Sequence, residues 1–366
     1  MTKPFSIFIL LFTAVSAVSA VSAVSADPSL PLPADSESVT PADFPAVASP
    51  AMKWAQGTFA KDPSVIRFHG KYLLYYSYFP TENRKGDEKS VLSIGIASSD
   101  DLTNWRFEKN IFPMQEVDSH GLGAPCAKVF GGKVFLFYQT YGTGASDAIC
   151  LARSDDGLNF TPHPDNPIFR PHGDWTNGRA IDADVVLFRD KLFLYAATRD
   201  PQGTIQKLAV ATADPAADLG PEAGTQAADF SILEPTLPWE KTCIEAPSAI
   251  VRDGRLYLFY AGAYNNNPQQ IGVAVSEDGI HFTRLWDVPF IPNGKPGAWN
   301  ASESGHPGIF TDEDGSDWLF FQGNATGGKD WYLSRVAVLW DEIDGFPVPR
   351  AGEEPVKGEA PKETGL

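Results

Sequence analysis

The chain is poor in cysteine and in basic residues, and each shortage removes a class of protein. Three cysteines in 366 residues, Cys126, Cys150 and Cys243, each lie in or beside an apolar run. They are too few for a disulfide scaffold, and at most one bridge can form; a buried small hydrophobe is the default for each. With no CxxC and no HExxH, zinc has no support. Lys and Arg number 29 against 46 Asp and Glu, a formal net charge of -17, and no basic cluster compensates locally. That field disfavours a polyanionic partner, so no nucleic acid is expected. Beyond the N-terminus no stretch is long and apolar enough to span a bilayer, and none has convincing helical periodicity.

What is present begins with an address. Lys3, a short apolar region to Phe12 and an Ala-Val-Ser repeat ending at Ala26 describe a secretory signal peptide over residues 1–26. The expectation is a secreted or periplasmic protein with no integral membrane segment after cleavage. Residues 27–50 are rich in Pro, Ser and Ala and read as a linker or arm. A similar composition over 348–366 predicts a disordered tail. The domain is then 51–347.

Within it an internal repeat decides the fold. Runs starting at Asp62, Ala124, Asp182, Ala246 and His306 share one layout: a β-branched or apolar run, a tight polar turn, and a second aromatic-rich run. The starts are roughly 60 residues apart, room for four short strands each. Third strands recur at 92–98, 148–154, 207–212 and 270–276. Three of them lead into a polar turn and an aromatic: Asp101 to Trp105, Asp156 to Phe160, Asp278 to Phe282. Acids in such turns bond turn amides while the aromatic packs between units. Five four-stranded units predict an all-β, five-bladed β-propeller.

In a propeller the first strands line the central channel and run the same way along the axis, so their starts converge. Those starts hold Asp62, Asp182, Glu245 just before Ala246, and His306. Converging carboxylates and a histidine are costly to desolvate, which favours a functional pocket, although such sites also hold structural ions or water. Asp184, two residues along the same strand, is the rival of Asp182; the repeat register favours Asp182.

Asp62-Pro63, Ile181-Asp182-Ala183 and Glu245-Ala246-Pro247, in that order and in register with the repeats, resemble glycoside hydrolase family 43 and its five-bladed relatives. The resemblance spans about 50–345. It implies an inverting glycosidase acting on plant or algal oligo- or polysaccharide of arabinose, xylose or galactose type. Asp62 would be the general base, Glu245 the general acid, and Asp182 the group that raises the pKa of Glu245. It implies no required cofactor; His306 stands where relatives support a central calcium or water cluster. Ala183 in place of the usual Pro, and Pro307 after His306, leave the subfamily and the sugar open. Trp54, Phe59, Trp175, Arg179, Trp239, Trp299 and His306 are the substrate-binding candidates, since aromatic faces stack on sugars; packing between blades is the alternative for each Trp. Rival functions are a catalytically inactive carbohydrate-binding propeller, an anhydrogalactosidase of the related family, and a fructosidase. The last would want Asn before the base, where Lys61 stands.

Overall fold

The computed structural model describes residues 59–80, 91–343 and 346–352, with the backbone alone of two short paired strands, β1 (Lys53–Trp54) and β2 (Gly57–Thr58). The expected signal peptide, the linker, the Trp54 side chain and the chain beyond Gly352 lie outside the described residues.

Five four-stranded antiparallel sheets follow, each built from consecutive chain. Blade one is β3 (Lys61–Phe68), β4 (Lys71–Tyr78), β5 (Ser93–Ser99) and β6 (Arg106–Ile111). Blade two is β7 (Leu122–Phe130), β8 (Lys133–Thr140), β9 (Ile149–Ser154) and β10 (Thr161–Pro162). Blade three is β11 (Ile181–Phe188), β12 (Lys191–Arg199), β13 (Gln206–Ala213) and β14 (Thr225–Gln226). Blade four is β15 (Ile244–Arg252), β16 (Arg255–Gly262), β17 (Gln270–Ser276) and β18 (Thr283–Arg284). Blade five is β19 (Glu303–Thr311), β20 (Asp317–Asn324), β21 (Tyr332–Ile343) and β22 (Phe346–Gly352). The first strands pack on one another in a closed ring, β19 returning to β3. This is the predicted five-bladed propeller.

Blade five runs to Gly352, past the boundary expected at 347, because β22 pairs with β21 from Phe346 to Gly352. Pro347 and Pro349 lie within this strand. On the outermost strand their missing N–H groups cost no ladder bond, which is where proline is tolerated.

The core is divided into layers between blades. Tyr76, Leu74 and Ala97 of blade one pack with Phe320 and Leu333 of blade five, and Tyr195 and Leu208 of blade three pack with Leu258 and Tyr260 of blade four. The turn aromatics join these layers: Trp105 meets Phe320, Phe160 meets Tyr75, and Phe282 meets Tyr195, all edge-on. Their turn acids are structural, as expected. Asp156 accepts the amides of Leu158 and Asn159 at 2.8 and 2.7 Å, and Asp101 and Asp278 repeat the pattern. Gly157 accepts the Tyr75 hydroxyl on its carbonyl at 2.8 Å, and a Cβ there would lie 2.5 Å from Leu73, so the turn closes on the neighbouring blade only with glycine. All three cysteines are buried and free.

Candidate active site

One backbone device, used five times, builds the site. Each first strand breaks register where its run begins, between Lys61 and Ser64, Gly123 and Cys126, Ile181 and Asp184, Glu245 and Ser248, and Gly305 and Gly308. Inside each bulge a non-glycine residue adopts positive φ: Asp62 54°, Ala124 43°, Asp182 52°, Ala246 49° and His306 46°. Each costs about 1–2 kcal/mol, and bulges of this kind re-aim side chains at sites. Second-strand side chains hold the bulge amides in place. Gln322 accepts the Asp62 N–H at 2.9 Å, Ser77 that of Ala124 at 2.8 Å, and Gln139 that of Asp182 at 2.7 Å.

The result is a cluster centred on His306. Its Nδ1 lies 2.8 Å from Asp62 Oδ1 and its Nε2 3.3 Å from Glu245 Oε1. Glu245 Oε1 also accepts from Gln269 Nε2 at 2.6 Å, and its Oε2 accepts from Gln206 Nε2. Asp182, 6% exposed, has a buried Oδ2 with no hydrogen-bond partner. Below the cluster the channel narrows at Pro63, Pro125, Ala183, Pro247 and Pro307. Ala183 is the one small gap in that ring. Further along the first strands a cavity of about 820 Å³ is lined by Ser64, Lys128, Asp184 and Ser248 among others. Asp184 belongs there: it accepts the Ala249 N–H at 2.7 Å and pairs with Lys128 Nζ at 2.9 Å.

The electrostatics differ from the sequence expectation at one point. Burial raises Asp182, and although His306 opposes this, the charges of Glu245 and Asp62 add to it, so its pKa is pushed up to about 7. Burial alone would also raise Glu245, but the His306 and Gln269 donors and the charge of Lys61 hold it below the usual carboxylate range. Asp62 is likewise held low against burial by His306 and Lys61. Burial disfavours the imidazolium, yet Asp62, Asp182 and Glu245 raise His306 well above its ordinary value. Without a ligand Asp182 is therefore the carboxyl of the trio pushed toward its protonated form, where the resemblance implied Glu245. The reason is the donor set: Glu245 has three N–H partners and Asp182 Oδ2 has none.

The other candidates lie further out. Arg179 reaches Gln206 Oε1 and Asp147, both at 3.3 Å, and so backs the amide that holds Glu245. Arg199 donates to the same Gln206 oxygen at 2.9 Å and lies over the Tyr264 ring. Trp175 is half-buried under the Lys207 ammonium. Trp239 stacks on Tyr260, donates its Nε1–H to the Asp287 carbonyl at 3.0 Å, and fills the space left by Gly262 and Gly272; Trp299 leans on Phe321. Phe59 is 5% exposed and enclosed by Phe79 and Trp331, so its faces are taken by protein. Sequence reasoning missed Gln206 and Gln269. Gln206 opens the third strand of blade three and Gln269 just precedes that of blade four, each beside other polar residues, so no local signal set them apart.

Asp182, Glu245 and His306 offer donor atoms within 4.8 Å of one another, and His306 is the residue that the resemblance linked to a calcium or water cluster. As arranged they fit an ion badly. Both His306 nitrogens face carboxylates and both Glu245 oxygens are taken by amides, whereas calcium wants six to eight oxygens.

Fold and site together define a class: five-bladed propellers that gather a carboxylate trio at the channel mouth. The profile of glycosyl hydrolases family 43 matches residues 56–341, and the chain belongs to that family. It is 25% identical to a β-xylosidase of Xylanibacter ruminicola over 196 residues, 53% of this chain and 51% of that one. It is 26% identical to a 1,2-β-oligomannan phosphorylase of Thermoanaerobacter sp. (strain X514) over 227 residues, 59% of this chain and 68% of that one. The chain thus spans about half the length of the curated xylosidase. A crystal structure of a thermostable family-43 glycoside hydrolase superposes with TM-score 0.66 at 18% identity, covering 86% of this chain and 98% of that one; at that identity the likeness speaks for the fold.

Proposed function

We propose that this is an exported glycoside hydrolase that cleaves plant or algal oligo- or polysaccharides with inversion, releasing an arabinose-, xylose- or galactose-type sugar. The observation that carries the reading is the imidazole clasped between Asp62 and Glu245. Asp62 and Glu245 flank the ring from its two nitrogens and so stand on different walls of the mouth, and inversion needs a base and an acid on opposite faces of the sugar. Asp62, ionised, takes a proton from that water. Glu245 protonates the leaving oxygen. Asp182 keeps the proton that the three acids share, and no cofactor takes part. A sugar filling the mouth removes water and places an oxygen beside Glu245; both raise its pKa, so the shared proton moves toward it. Residues 1–26 act as the export signal and are removed.

The test is product release by the purified chain on arabinan, xylan, galactan and agar oligosaccharides, with and without inorganic phosphate, read by anomer-resolved NMR. Asp62→Asn and Glu245→Gln should each lose about 10²–10⁴-fold in rate. A retained anomer sinks inversion, and a sugar phosphate would make the chain a phosphorylase like its mannan-acting relative. Binding of one oligosaccharide with no cleavage by any of the three proteins would leave a carbohydrate-binding propeller.

A further inference from the structure

The chain passes continuously from blade one to blade five, so the seam between the last blade and the first is the one that no connecting loop bridges. Glu303, at the start of β19, is 0% exposed and gathers donors from blades four and five beside Lys61 of blade one. It accepts from Gln322 Nε2 at 2.6 Å, Trp331 Nε1 at 3.2 Å, the Asn266 N–H at 3.0 Å, and Asn265 and Asn324 Nδ2 at 3.4 Å. Lys61, at the β3 position equivalent to Glu245 in β15, donates to Asn265 Oδ1 at 2.8 Å and lies 5.2 Å over the Trp331 ring. Among the described residues Lys61 has no carboxylate, and Glu303 no cation, within ion-pair distance. They face each other through Asn265 and Trp331. The same cluster reaches both reacting acids. Gln322, which donates to Glu303, accepts the Asp62 N–H; Gln269, which accepts Asn265 Nδ2 at 3.1 Å, donates to Glu245. An unbroken hydrogen-bonded path therefore runs from the Asp62 backbone through Gln322, Glu303, Asn265 and Gln269 to the Glu245 carboxylate.

We propose that Lys61, Asn265 and Glu303 are positioning residues for the reaction: the clasp that closes the ring also sets Asp62 against Glu245 and fixes how much of the lysine charge Asp62 feels. This rests on the roles given above to Asp62 and Glu245. The charged or titratable groups facing Asp62 are His306 from β19, Asp182 from β11, Glu245 from β15 and Lys61 on its own strand, with the Ser77 hydroxyl from β4. Those facing Lys61 are Asp62, Glu303, Glu245 and Asp182. Glu303 and Lys61 are thus opposing weights on the base. Removing the lysine lets the Asp62 pKa rise; neutralising Glu303 leaves the lysine uncompensated and lets it fall.

The experiment is kcat/KM against pH for Lys61→Met, Lys61→Arg, Glu303→Gln and Asn265→Ala in the full chain, with thermal unfolding beside each. Lys61→Met should move the acid limb up by about one unit, Lys61→Arg should restore it, and Glu303→Gln should move it down. Asn265→Ala keeps both charges and cuts the tether, so kcat should fall about tenfold or more with KM and the limb nearly unchanged. Should Glu303→Gln fail to fold, the lysine pair decides alone. A clasp that only holds the ring together would lower the unfolding temperature and leave the acid limb in place in Lys61→Met, which overturns the proposal. If instead Asp62→Asn or Glu245→Gln keeps full activity, the reading of the site has failed and not the clasp alone.

Discussion

Replacing Gln269 by leucine tests what holds Glu245 in its charged form. Gln269 is 0% exposed and gives Glu245 Oε1 a 2.6 Å hydrogen bond. A bond to a charged acceptor contributes about 1.5–3 kcal/mol, and one pKa unit corresponds to about 1.4 kcal/mol. Losing it should therefore raise the Glu245 pKa by about 1–2 units, toward the lower figure because Gln206 and His306 remain. In the proposed mechanism Glu245 draws on the proton it shares with Asp182, so the alkaline limb of kcat/KM belongs to that pair, and a less stabilised Glu245 carboxylate raises the pKa at which the pair loses it. A raised value therefore carries the alkaline limb of kcat/KM to higher pH. The assay is initial rates across pH on a saturable chromogenic glycoside, wild type against Gln269→Leu. An alkaline limb that stays put or moves down, in a variant that melts normally, would refute the reasoning: either the pair does not own that limb or the amide does not hold the Glu245 charge.

Two further predictions concern stability. Glu240 is fully buried and accepts from Arg284 Nε at 2.7 Å and Nη2 at 2.9 Å, the Tyr260 hydroxyl at 2.7 Å and two loop amides. Arg284→Ala leaves that carboxylate without its cation and should cost about 3–5 kcal/mol in urea unfolding. Asp156→Ala removes two backbone turn bonds and those from the Ser154 and Asn159 side chains at an exposed site, and should cost about 1 kcal/mol. The turn amides hold the Asp156 carboxyl well below its ordinary value, so its contribution is present above the unfolded pKa of about 4 and fades as pH falls below it. The gap between wild type and variant in unfolding free energy should narrow accordingly in acid; an undiminished gap would contradict the turn assignment.

Much was legible because it is periodic and local. A strand, a turn and an aromatic-rich strand recur about every 60 residues, so blade number and the inner-strand starts follow from hydrophobic pattern and turn chemistry alone. The Asp turns are equally local; Asp156 reaches amides only two and three residues away. The outermost strand of blade five was not legible, because two prolines on an edge position look the same as a chain break until the neighbouring strand is in place.

What the sequence by itself determined is that three acids and a histidine occupy equivalent strand starts and must converge. What the tertiary structure decided is how they are held and charged. Gln206, Gln269 and Asn265 come from third strands and a loop, and they meet Glu245 and Lys61 across separations of 39, 24 and 204 residues. No local pattern encodes such pairings. Asp182 is pushed up and Glu245 held down because the first is buried with an unpaired oxygen while the second is surrounded by N–H donors, and desolvation and donor number exist only once the ring has closed. The same closure gave Trp239 and Phe59 to packing: an aromatic near a strand start is a platform or a wall according to what the next blade places over it.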